Sequence, residues 1–194
     1  MVLRRMMDKV YLTRAKYNAY LEEIKYMEGE GGQLMAKLLA SSPGSGMGRP
    51  NDLPVHQMAS EFRGYLHEIK NIVNCAVIID DLRDESTNLE EVVIGCTVVV
   101  RYEGDEEVEE YTILGKHEVD PSKGRISCWS PIGSSLLGKR KGDRVVIELS
   151  PSREVRMVVE EVKRMSLSFD YPCTNWKCRL ELALMGGNSV KPTT

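Results

Sequence analysis

Apolar side chains recur at helical spacing in two early stretches of the chain, and the period then changes to alternation. Thr13 stands where a helix N-cap would, and Tyr17, Tyr20, Leu21, Ile24 and Met27 follow on one face. Glu28-Gly29-Glu30-Gly31-Gly32 interrupts that stripe. Each glycine costs a helix about 1 kcal/mol relative to alanine, so a weak point or kink is expected here. Leu34, Leu38 and Leu39 resume the stripe. Residues 41–50 are rich in Ser, Gly and Pro and read as loop, which Asn51-Asp52-Leu53-Pro54 prolongs. A second helix is expected from about Val55 to Ile78, with Met58, Phe62, Leu66 (or Tyr65), Ile69, Ile72 and Val73 on its apolar face. Two helices joined by one polar loop are expected to pair antiparallel, each burying the other's stripe. Such a pair is long and thin, has little core of its own, and must lean on something else.

The stretch from Asp80 to Glu91 is acidic and poor in apolar residues, and reads as a linker. Short β-branched runs follow. Gly95 to Tyr102, Glu110 to Gly115, Arg125 to Cys128, Asp143 to Leu149, and the alternating Val155, Met157 and Val159 each read as a strand. Between the third and fourth, Ser130-Pro131 opens a short helix that Gly138 closes. The expected class is therefore α+β: a helical hairpin over residues 7–80, an acidic linker over 81–93, and a β domain over 94–164, an antiparallel sheet curled over one short helix. Residues 165–194 stay unassigned, with Leu180 to Met185 readable as either strand or helix.

Composition narrows the function. The 194 residues carry a formal net charge of −3, so no basic field points to binding of bare nucleic acid, and a protein partner is the better expectation. No run of about 18 apolar residues offers a membrane span. Met1 to Met7 is basic and apolar but lacks the long apolar core of a signal peptide, so a cytoplasmic protein is expected. Of the five cysteines, Cys75, Cys96 and Cys128 sit in apolar runs and read as small core residues. Cys173 and Cys178 would need two further ligands nearby to hold a metal, and His56, His67 and His117 lie far off in sequence. No metal site is expected, and no cofactor of the chain's own.

The β domain carries an ordered set of short motifs. Tyr111-Thr112-Ile113-Leu114-Gly115 precedes Val119-Asp120-Pro121, Lys123-Gly124-Arg125-Ile126-Ser127, Ser130-Pro131-Ile132-Gly133, Leu136-Leu137-Gly138-Lys139 and Gly142-Asp143. In that order and spacing the set resembles the C-terminal domain of the GreA/GreB transcript-cleavage factor family. Val10-Tyr11-Leu12-Thr13 with Tyr17 and Leu21, Leu66-His67-Glu68-Ile69, and Val77-Ile78-Ile79-Asp80 resemble its N-terminal half more loosely. The resemblance covers residues 7 to 164. It implies an antiparallel coiled coil joined to an FKBP-like domain, in a monomeric regulator of transcription elongation. It implies RNA polymerase as the partner, gripped at the rim of its secondary channel, with nascent RNA met only indirectly. The gripping edge maps to Trp129, Ser130, Pro131, Ile132, Gly133 and Ser134. Trp129 reads equally as core, Leu136 and Leu137 read as core, and Lys139-Arg140-Lys141 reads as a solvated turn.

The family's coiled-coil tip carries an Asp and a Glu three residues apart, which help hold a shared magnesium at the polymerase active site and orient a water. This chain departs from that pattern. Counted without gaps, the acid positions fall near Gly46 and Arg49. With Asp52-Leu53 taken as the family's Asp-Leu pair, Val55 stands at the Glu position. Asp52 is the only acid between Glu30 and Glu61, and its simpler reading is a turn or cap residue. The resemblance thus leaves three functions open: stimulation of the polymerase's own RNA cleavage, occupation of the channel as a competitor or inhibitor, and, from the fold alone, prolyl isomerisation. A related short-coil regulator is disfavoured by the length of the hairpin. The isomerase would need an aromatic-lined pocket, for which the domain offers Tyr102, Tyr111 and Trp129.

Overall fold

The computed structural model describes residues 9–41, 53–80, 90–150, 153–165 and 175–184. The elements in order are β1 (Val10–Leu12), α1 (Arg14–Glu28), α2 (Glu30–Ser41), α3 (Leu53–Cys75), β2 (Ala76–Ile78), β3 (Cys96–Tyr102), β4 (Val108–Leu114), β5 (Arg125–Ser127), α4 (Pro131–Leu136), β6 (Arg144–Ser150), β7 (Arg153–Arg164) and α5 (Asn175–Leu184). The chain is α+β and forms two compact units. One draws its described residues from 1–17 and 75–169, the other from 18–74 and 170–194. No described helix is long and apolar enough to cross a membrane.

The first unit is built on a five-stranded sheet in the order β5-β4-β3-β7-β6. Alternation decides its faces. Cys96, Val98 and Val100 of β3, Val145 and Ile147 of β6, and Met157 and Val159 of β7 are buried, while Arg101, Arg144, Val146 and Glu148 face out. Leu136 of α4 is fully buried and joins the same core, as do Ile113 and Leu114 of β4. β3–β4, β3–β7 and β6–β7 pair antiparallel, but β4 and β5 pair parallel, Thr112 with Arg125 through Leu114 with Ser127. The expected all-antiparallel sheet is therefore mixed. The cause lies in residues 115–124, which fold through two short 3-10 turns, Lys116–Glu118 and Pro121–Lys123, and bring the chain back to run alongside β4 in the same direction.

Two further expectations are corrected in this unit. The second helix stops at Cys75, and Ala76–Ile78 forms strand β2, paired parallel with β1. The apolar run that seemed to continue the helical stripe serves a two-stranded ribbon instead. The acidic stretch also ends inside the core, since Val92 and Ile94 are buried and Val92 bonds through its backbone to Lys139 and Gly138.

Thr13 caps α1 as expected, its Oγ1 accepting from the Lys16 backbone N–H at 3.2 Å. Two acids complete the helix start from across the unit. Asp80 accepts from the Arg14 N–H at 2.5 Å, and the buried Glu118 accepts from both the Thr13 N–H (2.7 Å) and its hydroxyl (2.6 Å). Negative charge at a helix N-terminus also suits the helix dipole.

The second unit is helical. Its buried apolar side chains are Tyr20 and Met27 of α1, Met35 of α2, Ala59, Phe62, Ile69 and Ile72 of α3, and Trp176 and Leu180 of α5. Leu21, expected on the buried stripe, is 42 % exposed. Glu23 is buried instead, where it accepts a hydrogen bond from the Tyr65 hydroxyl at 3.0 Å. Burial, and then the Glu23 charge, push the pKa of Tyr65 well above the usual phenol value, so the hydroxyl stays a donor. Lys70 pairs with Glu28 at 2.5 Å. Within the unassigned tail, Asn175–Leu184 is a helix. Trp176 and Leu180, four apart, put one face of α5 into this unit.

Candidate partner-binding loop

The six residues from Trp129 to Ser134 form the turn after β5 and the capped first turn of α4. Ser130 is the N-cap of α4. Its Oγ accepts from the Gly133 N–H at 3.0 Å and donates to the Ser127 carbonyl at 2.7 Å. Pro131 takes the first helical position, where its missing N–H is not needed. The Trp129 N–H donates to the Ser127 hydroxyl at 3.1 Å, and the Ser134 hydroxyl to the Pro131 carbonyl at 3.3 Å. Gly133 is required at its position, because a Cβ there would stand 2.2 Å from the Ser127 carbonyl oxygen. A backbone approach this close fixes the turn rigidly against β5.

The turn is uncharged and only Pro131 is fully exposed. Trp129 and Ile132 are half-buried and pack one side against the core, which leaves the other side open beside Pro131. The core reading of Trp129 therefore holds in part. Beneath the turn, Cys128 is buried, and burial pushes its thiol up to about 11, which makes it an inert core residue, as expected, whereas Cys75, also expected in the core, is exposed at the end of α3. Leu136 is core and Leu137 packs against it. Arg140 pairs with Glu91 at 3.6 Å, and its N–H donates to Asp143 at 2.8 Å, the pattern of a solvated turn.

The aromatics considered for an isomerase pocket are spent on packing. Tyr102 and Tyr111 rest against the core with their hydroxyls 2.8 Å apart, and Tyr111 also donates to Glu109. Burial, followed by these hydrogen bonds, raises the pKa of Tyr111 far above the usual phenol range. Asp52 lies outside the described residues, as do Gly46, Arg49 and Cys173. Among the described residues no group of three His, Cys, Asp or Glu side chains is arranged to hold a metal ion. The anchors Glu118 and Asp80, which organise the start of α1, escaped the sequence because their partners are distant in the chain. Trp176 went unmarked, its one local signal being the spacing of four to Leu180.

Comparison with known proteins agrees with the motif pattern. The family described as "Transcription elongation factor, GreA/GreB, C-term" matches residues 86–164. A protein of Chloroflexus aggregans named transcription elongation factor GreA is 32 % identical over 157 residues, spanning 79 % of this chain and 96 % of that protein. The GreA of Roseiflexus sp. (strain RS-1) is 40 % identical over 104 residues, covering 54 % of this chain and 64 % of the relative, so this stronger match spans somewhat under two thirds of that protein's length. The solved GreA factor homolog 1 of Thermus thermophilus is 21 % identical, covering 79 % of this chain and 98 % of its own, at a TM-score of 0.34. At that score it fixes no arrangement of the two units. With the ordered motifs in the sheet unit and a relative matched over nearly its whole length, the chain belongs to the GreA/GreB family of transcription elongation factors.

Proposed function

We propose that this protein is a cytoplasmic, non-enzymatic regulator of transcription elongation that docks on RNA polymerase through residues 129–134 and presents its helical unit to the secondary channel. The observation that carries this reading is the family match centred on the sheet unit, in which an uncharged turn is locked by Ser130 and Gly133 with Pro131 outermost. A pre-formed turn loses little entropy on binding, and half-buried aromatic and aliphatic side chains make good anchors. The helical unit fits an antiparallel hairpin, with α1 and α3 in contact through Glu23–Tyr65 and Glu28–Lys70. The sheet with α4 fits the FKBP-like domain of the family, without isomerase activity.

The magnesium step of the family does not fit this chain. Residues 31–60 carry a single carboxylate, Asp52, where that step uses two. The function proposed is therefore occupation of the channel in competition with cleavage factors, not delivery of a metal-binding acid pair. The protein acts as a monomer and meets nascent RNA only through the polymerase.

A displacement assay tests the docking. A labelled cleavage factor bound to polymerase should be released by this protein. The Pro131→Asp variant keeps the helix start, where an acid suits the dipole, and should release it at least about tenfold less well. Equal displacement by both proteins would move the docking edge elsewhere.

A further inference from the structure

The helical unit contains a fourth helix, α5, which follows the sheet unit in sequence and lies, like the other three, outside the family match over residues 86–164. Among the described residues, α2 and α5 are the helix pair whose backbones run closest together. α5 also reaches α3. Trp176 meets Phe62 edge-on at 5.2 Å between ring centroids and Tyr65 at 6.3 Å. Arg179 lies 4.3 Å over the Trp176 ring and pairs with Glu61 at 2.9 Å, which latches the outer side of the contact. Trp176, Leu180, Phe62 and Met35 are all buried.

α2 is the helix most in need of such support. It has 12 residues and continues α1 through a glycine, the Gly29 and Gln33 N–H groups donating to the Lys25 and Gly29 carbonyls at 3.0 and 3.2 Å. It follows a one-residue break at Gly29 and opens with Gly31 and Gly32, each a weak helix former. Gly31 sits under the Tyr26 ring, where a Cβ would come within 2.8 Å of the ring edge. The joint is therefore closely packed yet poor in intrinsic helix stability.

We infer that α5 is a splint: through Trp176 and Leu180 it holds α2, the segment beyond the Gly29 joint, to α3, and so fixes the end of the helical unit that leads into residues 42–52. Its consequence for the polymerase rests on the docking function proposed above; its consequence for α2 does not.

Hydrogen–deuterium exchange on the full chain tests the splint directly. Trp176→Ala should speed amide exchange in residues 30–41 by on the order of a hundredfold, with the sheet strands unchanged and α1 much less affected. Trp176→Phe should retain most of the protection. Unchanged exchange in α2, or an equal rise in α1 and α2, would overturn the splint. The same variants then enter the displacement assay. Trp176→Ala should displace the cleavage factor less well than the unaltered chain, and better displacement would overturn the splint in favour of a cover that must leave before docking. If the unaltered chain displaces nothing, the docking function fails and the exchange result alone decides the splint.

Discussion

The sheet unit and the helical unit bury their apolar side chains by different means. In the sheet unit, alternation along β3, β6 and β7 delivers a buried residue every second position, and the core runs from Tyr11 to Met165 with residues from nearly every element. In the helical unit burial is sparse, from Tyr20 and Met27 through Met35 to Phe62 and Ile69, and the tail residues Trp176 and Leu180 complete it. A glycine-jointed helical pair offers too little apolar surface to close on itself, and a helix from the C-terminal tail makes up the difference. The two tryptophans fall one in each unit, so Trp176→Phe leaves Trp129 reporting on the sheet unit, and Trp129→Phe leaves Trp176 reporting on the helices.

The largest effect is expected in the sheet core. Leu136→Ala should lower stability by about 2–5 kcal/mol in denaturant titrations followed at Trp129, because the cavity it leaves is enclosed by strands on a fixed register. A loss well under 1 kcal/mol would mean that this core collapses as readily as a loose helical one. Next comes the buried acid that anchors α1. Glu118→Ala strands the Thr13 N–H and hydroxyl, and should cost about 1–3 kcal/mol and raise amide exchange in the first turn of α1. Ser130→Ala removes the N-cap of α4 and should cost about 1 kcal/mol by the same titration, while weakening displacement of a cleavage factor.

The smallest effect tests the latch on α5. The hydrogen bond from Arg179, and then that from Gln57, hold the Glu61 carboxyl below its ordinary value of 4.5. A lowered folded-state value means that the stabilisation is complete above 4.5 and is lost as pH falls through the lower folded value. Both side chains are well exposed, so solvent screening keeps the contribution to about 0.2–1 kcal/mol. Glu61→Gln should remove that pH dependence from the stability read at Trp176.

What the chain reveals without its structure follows from how local each signal is. The strands were legible because β-branched alternation is a property of five to seven neighbouring residues, and the Thr13 and Ser130 caps because a cap needs only its own helix. β2 was hidden because Ala76, Val77 and Ile78 prolong the apolar stripe of α3, and only pairing with Val10 to Leu12 makes them a strand. The parallel direction of β5 was hidden because it depends on the two turns before it. Val92 and Ile94 were masked by their acidic neighbours. In the turn over residues 129–134, the residues were legible from motif order, but the reason for Gly133 was not, since it lies in the carbonyl of Ser127. The partnership of Trp176 with Phe62 spans more than a hundred residues and has no local signature beyond the spacing to Leu180.

RNA cleavage in a backtracked polymerase complex, supplied with a genuine cleavage factor and increasing amounts of this protein, tests the central claim most directly. The account predicts that the protein alone stimulates no cleavage and that it suppresses the factor's stimulation as it takes over the channel. Stimulation by the protein alone that disappears in Asp52→Ala would contradict it, because one carboxylate would then suffice at the tip.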